Sequence, residues 1–203
     1  MKAMMLEKIS PVERDSKPLK LVEVETPEPA AHEILIRVIT CGVCHTELDE
    51  IEGRLRPPRL PVIPGHQVIG KVVATGEQAN RFSTGARVGV GWIHDSDGSE
   101  FENLSADFSG TGCDVNGGYA EFMTIKEDYA VPIPEAFDDQ SAAPLLCAGA
   151  IGYRSLKLAG LQDGDTLGLT GFGGSAHIVM QLARFMYPNS PIYVFSRSRE
   201  TQH

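Results

Sequence analysis

Hydrophobic and polar positions follow a strand-like pattern over the first two thirds of the chain. Short runs of β-branched and apolar residues are bounded by turn residues, as in "EILIRVITCGVC", "VIGKVVATG", "TGARVGVGW" and "GGYAEFMTI". Runs of this length and composition are typical of β-strands. Many short strands joined by Gly- and Pro-rich turns predict a small barrel-like or sandwich domain.

The pattern changes to a helical period after "VPIPEAFDD". The spacing of Leu and Ala over residues 141–160 predicts a single helix that ends at Gly160. Asp138 or Asp139 would cap this helix, and Pro144 suits its first turn. We place the domain boundary at its start, which gives two expected domains, residues 1–140 and 141–203.

A β-α-β unit follows the predicted helix. An apolar strand (Thr166–Leu169) leads through a glycine turn into an amphipathic helix (175–186) and a second apolar strand (Ile192–Phe195). The fold class is therefore α/β overall. The chain ends eight residues after the second strand. Because parallel sheets are covered on both faces, we expect the domain begun here to be incomplete.

The glycine turn of this unit reads "GFGGSA", residues 171–176. It is close to the dinucleotide fingerprint G-x-G-x-x-G/A, in which small residues allow a tight turn, a close approach of a pyrophosphate and close helix packing. The following helix N-terminus favours negative charge. The context predicts that Gly171, Gly173 and Gly174 contact a nucleotide, and an ordinary strand–helix turn is the alternative.

The residues after the second strand indicate which nicotinamide cofactor is bound. This strand ends in "FSRSR" instead of the Asp or Glu that would bind the ribose hydroxyls of NAD. Ser196, Arg197 and Arg199 would accept a 2′-phosphate, Arg through charge-assisted hydrogen bonds. We therefore expect NADP(H) to be preferred over NAD(H). The alternative is a solvated basic turn.

Composition narrows the classes of partner. The 203 residues are 42% hydrophobic and carry a net charge of −9, which argues against general affinity for nucleic acid or anionic membranes. No apolar run approaches the roughly 18 residues of a membrane span, and the first residues lack a signal-peptide core. We expect a soluble cytoplasmic protein.

The stretch "CGVCHTELDE" raises three alternatives: a redox dithiol, half of a zinc finger, or a cluster of which only part is used. A redox pair is normally part of a thioredoxin-like β-α-β unit, and a zinc finger needs a second nearby pair. Neither pattern is present around Cys41. The chain offers three well-spaced candidate metal ligands: Cys44, His66 in "PGHQ", and Cys147 in "LLCAGA".

Several motifs occur together in one order along the chain: "GVCHTEL", "LPVIPGHQVIGKVVATG", "RVGVGWIH", "GGYAEFM", "PLLCAGAIGYRSLK" and "GFGGSAHIVMQLARF". With these motifs the sequence resembles the zinc-dependent medium-chain alcohol dehydrogenase family. The resemblance implies an N-terminal GroES-like β-barrel catalytic domain followed by the first β-α-β of a Rossmann cofactor domain. It also implies interconversion of alcohols with aldehydes or ketones, with a nicotinamide cofactor.

The resemblance also assigns roles to residues. Cys44, His66 and Cys147 would hold one catalytic zinc, in agreement with the Cys₂His sets that leave one position open. Thr46 would hydrogen-bond the substrate oxygen and pass on its proton. His45 would lie near the coenzyme pyrophosphate. Cys41 lies outside this set, and we expect it to be a buried bystander.

Three positions near the ligands depart from the common family pattern. Gln67 stands where an acid usually follows the ligand histidine, so that negative charge is missing. Glu47 replaces an Asp that often supports the ligands and is one methylene longer. Asp49 replaces the histidine that ends the proton relay in many members, and its carboxylate could accept the proton instead.

The segment after "GWIH" also departs from the family. Relatives carry four cysteines there for a structural zinc, but "DSDGSEFENLSADFSGTGCDVN" contains only Cys113. We expect no structural zinc and a mobile surface loop. Two alternatives remain: a zinc-free quinone or enoyl reductase of the same fold, and a non-catalytic binding or assembly module. The expected partner is a small alcohol or aldehyde, and a homo-oligomer is compatible with the sequence.

Overall fold

The computed structural model describes residues 1–197. The chain divides into two compact units, Met1–Leu146 and Cys147–His203. The first unit contains nine short strands: β1 Lys2–Met5, β2 Lys20–Glu23, β3 Glu33–Cys41, β4 Val68–Thr75, β5 Arg87–Val90, β6 Ile93–Asp95, β7 Ser109–Gly110, β8 Phe122–Lys126 and β9 Ala130–Pro132. Its helices are α1 His45–Glu52 and α2 Asp139–Ala142, with 3₁₀ turns at Glu102–Leu104, Glu127–Tyr129 and Ala143–Leu146.

Five of these strands form one antiparallel sheet in the order β8-β3-β4-β5-β9. Its strands β3, β4, β5 and β8 come from the four β-branched runs of the sequence, so the predicted β-structure is confirmed. The register pairs Ile34 with Ile125 and Ile36 with Met123. These alternate residues point to the same face, because successive side chains of a strand project to opposite sides.

The alternating apolar residues build the core of the first unit. The central cluster is Ile34, Ile36, Val68, Val72, Val88, Val90, Met123, Ile125 and Ala130, all buried. A second cluster joins the helix α1 to the N-terminal segment through Ile51, Leu6 and Val62. Burial of Ile51 therefore anchors helix α1, which follows Cys44.

The predicted helix over residues 141–160 is wrong as a single element. The structure shows α2, the 3₁₀ turn Ala143–Leu146, and then α3, Ala148–Leu158, in the second unit. Asp138 does cap α2, because its carboxylate accepts a 2.7 Å hydrogen bond from the Ser141 backbone N–H. Pro144 lacks a backbone N–H, which is compatible with the 3₁₀ turn but removes a helix hydrogen bond. Cys147 then adopts φ −124° and ψ −76°, outside the helical region.

The second unit confirms the predicted β-α-β. Strand β10 (Leu167–Thr170), helix α4 (Gly174–Met186) and strand β11 (Ile192–Phe195) follow one another, and β10 pairs with β11 in parallel. Within this unit Val179 of α4 packs on Gly152 of α3, where an added Cβ would lie 2.4 Å from a Val179 methyl. Among the helices within residues 1–197, none is both long and apolar enough to cross a membrane.

The acidic segment after Trp92 is tied down at several points. Strand β6 pairs with β7, and the Ser96 backbone N–H donates a 2.9 Å hydrogen bond to the Tyr129 hydroxyl. Asp95 forms an ion pair with Lys126 on β8. The mobility of this segment and the lack of a structural zinc stay predictions.

Candidate metal centre

Cys44 stands at the N-terminus of helix α1. Its φ of −114° and ψ of 161° are extended, so it is the cap residue, and its backbone N–H donates a 2.6 Å hydrogen bond to Glu47 Oε2. This carboxylate satisfies one donor that the helix start would otherwise leave unpaired. The hydrogen bond fixes the backbone of Cys44 at the start of the helix. The Cys44 side chain is half-buried.

His66 lies two residues before strand β4, directly after Gly65. Gly65 has a φ of +102°, and a Cβ there would lie 2.6 Å from the Tyr119 ring and 2.9 Å from Cys41 Sγ. Only glycine fits both this backbone conformation and this space. The tight turn places the His66 side chain inside the unit, where it is 1% exposed.

Glu47 links these two segments. Its Oε1 lies 2.7 Å from His66 Nδ1, while its Oε2 accepts the Cys44 N–H. A ligand histidine is commonly oriented by a carboxylate on its second ring nitrogen. The extra methylene of Glu47 therefore spans the distance from the helix to His66. The other ring nitrogen, His66 Nε2, is buried as well.

The surroundings of His66 change its proton affinity. Burial disfavours the charged ring, but the Cys44 side chain and the Glu47 carboxylate outweigh this effect and raise the pKa of His66 to about 9. An imidazole that interacts with both a thiol and a carboxylate is well placed to bind a cation. A proton and a metal ion would compete for this ring.

The three candidate ligands come together. The sulfur atoms of Cys44 and Cys147 and a ring nitrogen of His66 all lie within 4.8 Å of one another. Cys147 directly follows Leu146, the last residue of the first unit, and caps helix α3. Within the described part of the chain, this is the one group of three or more His, Cys, Asp or Glu side chains that could hold a metal ion.

The other cysteine of the CxxC stretch is in a different environment. Cys41 is the last residue of β3, and its thiol donates a weak 3.6 Å hydrogen bond to the Gly42 carbonyl. Burial raises the pKa of Cys41 to about 12. Burial raises the pKa of Cys113 to about 12 as well. Thiols that stay protonated at neutral pH are poor metal ligands.

The predicted relay residues lie on the first turns of α1. Thr46 Oγ1 is 3.5 Å from Cys44 Sγ, so its hydroxyl is next to the ligand set. Asp49 Oδ1 accepts a 2.6 Å hydrogen bond from Arg54, in an ion pair at the surface. His45 opens the helix and is exposed. The catalytic roles of Thr46 and Asp49 and the coenzyme contact of His45 stay predictions.

Two neighbours of the ligands, Trp92 and Glu50, were not predicted from the sequence to be site residues. The Trp92 ring stands edge-on to His66, with centroids 4.9 Å apart and an interplanar angle of 79°. Glu50, one turn after Glu47 on α1, is fully buried. Trp92 is the single tryptophan of the chain and directly precedes a strand, which was a usable signal. Nothing in the polar run "HTELDE" indicates that two of its acids are buried.

The predicted nucleotide turn connects β10 to α4 in the second unit. Gly171 has a φ of +90°, and Gly173 is the N-cap of α4. An added Cβ at Gly171, Gly173 or Gly174 would meet no atom within 4 Å. The first turn of α4 contains no acid. Open space above exposed helix N–H groups is what a pyrophosphate requires.

The predicted phosphate residues follow β11. Ser196 and Arg197 line an open cavity of about 400 Å³ together with Val194 and Phe195. Arg197 is exposed, so its guanidinium is accessible from solvent. Arg199 lies outside the described residues. The location is compatible with a 2′-phosphate site, and the preference for NADP(H) stays a prediction.

The sequence is similar to those of known proteins. Residues 30–135 match the family model of the alcohol dehydrogenase GroES-like domain. AdhA of Mycobacterium tuberculosis, a probable alcohol dehydrogenase, is 43% identical over 194 residues, which cover 90% of this chain and 56% of the relative. The chain belongs to the medium-chain alcohol dehydrogenase family. It spans about half the length of the curated relatives it matches.

Solved structures of alcohol dehydrogenases have the same fold. A cinnamyl alcohol dehydrogenase from Sorghum bicolor superposes with a TM-score of 0.85 at 28% identity, covering 98% of this chain and 59% of that one. A Helicobacter pylori relative in complex with NADP(H) gives a TM-score of 0.85 at 24% identity, covering 99% and 60%. The α/β fold with a GroES-like β domain before the first Rossmann β-α-β is confirmed.

Proposed function

We propose that this chain carries the catalytic zinc centre and the first part of the cofactor domain of an alcohol dehydrogenase. The enzyme would interconvert alcohols with aldehydes or ketones and prefer NADP(H). The observation that carries the proposal is the grouping of Cys44, His66 and Cys147 within 4.8 Å. Alcohol dehydrogenases among the relatives support the reaction class, at up to 43% identity.

The donor set suits zinc. Two sulfurs and one imidazole nitrogen form a Cys₂His set, and zinc sites with three protein ligands leave a fourth position for a small molecule. His66 Nε2 is buried, and the Cys44 side chain interacts with the ring, so both donors are already directed to one place. When bound, zinc would supply a Lewis acid that makes an alcohol easier to deprotonate, and NADP(H) would supply the hydride carrier.

The side chains around the ligands have separate tasks in this reaction. The Thr46 hydroxyl would accept the proton of the alcohol and pass it towards solvent. Asp49 Oδ1 is held by Arg54, so Oδ2 would receive the proton, through water. Glu47 would hold the His66 ring in one orientation. Trp92 packs against that ring and would form one wall of the substrate site, excluding water.

The second unit would bind the cofactor. The turn at Gly171, Gly173 and Gly174 would receive the pyrophosphate. We also propose that His45 contacts the coenzyme. Ser196 and Arg197 would bind the 2′-phosphate. Solved structures of the same fold hold NADP(H) in one case and NADH in another, so a nicotinamide cofactor suits the fold. We further propose a cytoplasmic enzyme whose partners are small alcohols, aldehydes and, in a homo-oligomer, copies of the same chain.

Metal analysis combined with an activity scan tests the proposal. Purified protein should contain about one zinc per chain, and short alcohols should be oxidised faster with NADP than with NAD. About one zinc without turnover would support the metal centre and refute catalysis by this chain alone. A zinc content near zero after zinc loading would favour the zinc-free reductase or the non-catalytic module. Two zinc ions would contradict the expected lack of a structural site.

Arg197 gives a sharper test of cofactor preference. Replacing it with alanine should weaken NADPH binding about tenfold and leave NADH binding unchanged, because one charge-assisted hydrogen bond contributes about 1.5 kcal/mol or more. Arg184→Ala is the matched control, since Arg184 is also exposed and lies at the far end of α4. Fluorescence titration of both nucleotides measures the difference. Tighter binding of NADH than NADPH to the original protein would refute the preference.

A further inference from the structure

One acidic side chain near the ligands has no partner. Glu50 is 0% exposed, and neither of its carboxyl oxygens forms a hydrogen bond among residues 1–197. Buried carboxyl groups are nearly always paired, because removal from water is costly. Glu50 is not one of the three proposed metal ligands and has no step in the proposed reaction. A role for it must come from its neighbours.

The position of Glu50 on α1 relates it to the ligand contacts. Glu47 and Glu50 are three residues apart, so they lie on the same face of the helix. Glu47 has both of its oxygens engaged, one by the Cys44 N–H and the other near His66 Nδ1. Glu47 and Glu50 are therefore two buried carboxyl groups on one face of the helix. Of the two, Glu50 is the one that can carry a proton without breaking a contact.

The titratable groups around Glu50 are acids, thiols and a phenol, together with one imidazole, His66. The groups that act on it are Glu47, His66, Cys44 and Asp114, and it acts in turn on Cys113 and Tyr119. Burial first, and then repulsion by Glu47, raise the pKa of Glu50 to about 8, while His66 lowers it. Among these groups His66 is the one that can be positive, because its pKa is raised to about 9. Its ring would give up that proton on binding a cation, and the cation in the ligand set would then supply the positive charge near Glu50.

We propose that Glu50 is a positioning residue that raises the affinity of the Cys44–His66–Cys147 set for a divalent cation. Without a cation the carboxyl keeps its proton. When the cation binds, the proton leaves to solvent and the resulting carboxylate adds a buried negative charge beside Glu47. Gln67, the residue directly after His66, is a neutral amide, so Glu50 would supply a negative charge that this neighbour does not. This inference rests on the proposed zinc centre.

The proposal predicts two effects of opposite sign in Glu50→Gln. Zinc affinity should fall at least about tenfold, because the bound cation loses a buried negative charge nearby. The metal-free protein should become more stable, because an unpartnered carboxyl is replaced by an amide that needs no ionisation. A merely structural Glu50 would give a less stable protein and an unchanged zinc affinity per folded molecule.

The pH dependence adds a third readout. A carboxyl with a raised pKa binds its proton more tightly in the folded than in the unfolded chain. The metal-free protein should therefore lose stability as the pH rises from about 5 to about 8, the value to which the pKa of Glu50 is raised. Glu50→Gln should remove this part of the loss. Zinc affinity of the original protein should rise over the same range, and less so in the variant.

The experiment uses the whole 203-residue chain with zinc alone as the probe. Zinc affinity is measured by competition with a chromophoric chelator, and the stability of the metal-free protein by urea unfolding, for Glu50→Gln and Glu50→Met. Glu52→Gln is the matched control, because Glu52 is on the same helix but is partly exposed and already paired, with Arg54 and the Val12 N–H. Both Glu50 variants should bind zinc at least tenfold more weakly, and the control should match the original protein.

Each outcome decides something. Zinc binding by the original protein with equal affinity in both variants would overturn the role of Glu50 and leave the zinc centre standing. A fall in the Glu52→Gln control equal to that of the Glu50 variants would also overturn it, since any lost charge would then suffice. Failure of both variants to fold would show a structural role instead. Lack of zinc binding by the original protein would refute the proposed function itself.

Discussion

Replacing Cys44 with serine should produce a protein that folds normally and no longer holds zinc. Serine is a better helix cap than cysteine, so helix α1 should keep its N-terminus. The hydroxyl cannot replace a thiolate as a zinc ligand, because it stays protonated and is a harder donor. We expect zinc affinity to fall by more than about 100-fold, beyond what loss of an outer contact costs. Metal analysis after dialysis, together with circular dichroism, measures both properties.

Cys41→Ser is the matched control for this change. It removes the other cysteine of the same stretch, and its hydroxyl can keep the hydrogen bond to the Gly42 carbonyl. This variant should retain about one zinc per chain. Loss of zinc from both variants to the same extent would mean that the CxxC pair acts as a unit, against the separation seen in the structure.

Gly65→Ala should lower the free energy of unfolding by about 2 to 5 kcal/mol. A positive φ costs a residue with a Cβ about 1 to 2 kcal/mol, and overpacking typically costs another 1 to 3 kcal/mol. Both apply at Gly65, whose added Cβ would lie 2.6 Å from the Tyr119 ring. His66 is the next residue, so zinc affinity should fall too. Urea unfolding and chelator competition report the two effects.

Gly85→Ala separates the two costs. Gly85 has a φ of +91°, similar to that of Gly65, but an added Cβ would meet no atom within 4 Å. Its variant should lose only the backbone part, about 1 to 2 kcal/mol, and should bind zinc normally. Equal destabilisation of the two variants would contradict the packing argument, because only the shared backbone conformation would then matter.

The parallel unit could be predicted from the sequence almost to the residue. The second strand was expected at Ile192–Phe195 and is found there, and the helix begins one residue earlier than expected. Each element of this unit has a distinct local signal: an apolar run, a glycine turn, or a 3.6-residue period. Adjacent pairing in a β-α-β unit is then fixed by its short connections.

The break before Cys147 could not be predicted from the same kind of pattern. Leu and Ala keep a helical spacing through "SAAPLLCAGA", so local propensity favours a continuous helix. Packing decides otherwise: Ala142 and Ala143 are buried against Ile69, and Leu146 packs under β5 against Gly89. Tertiary contacts override a weak local preference here. The ligand position of Cys147 depends on this break.

The acids of α1 were also beyond sequence reasoning. Polar runs are normally solvated faces, yet the helix buries Glu47, Glu50 and Ile51. The resemblance to the family predicted a supporting role for Glu47 because another acid often stands there. It gave no such guide for Glu50, whose burial became visible only when the surrounding strands and loops were placed.

The four thiols should differ in their reactivity towards alkylating reagents, so thiol labelling can measure what fraction of the protein holds a metal ion. Cys41 and Cys113 stay protonated near neutral pH, because burial raises the pKa of each to about 12, and alkylating reagents attack thiolates. Cys44 and Cys147 are half-buried, as Cys41 is, but they belong to the candidate ligand set. Brief iodoacetamide treatment of metal-free protein should therefore add two labels, and bound zinc should shield both. Intact-mass spectrometry then reads the filled fraction directly from a cell extract.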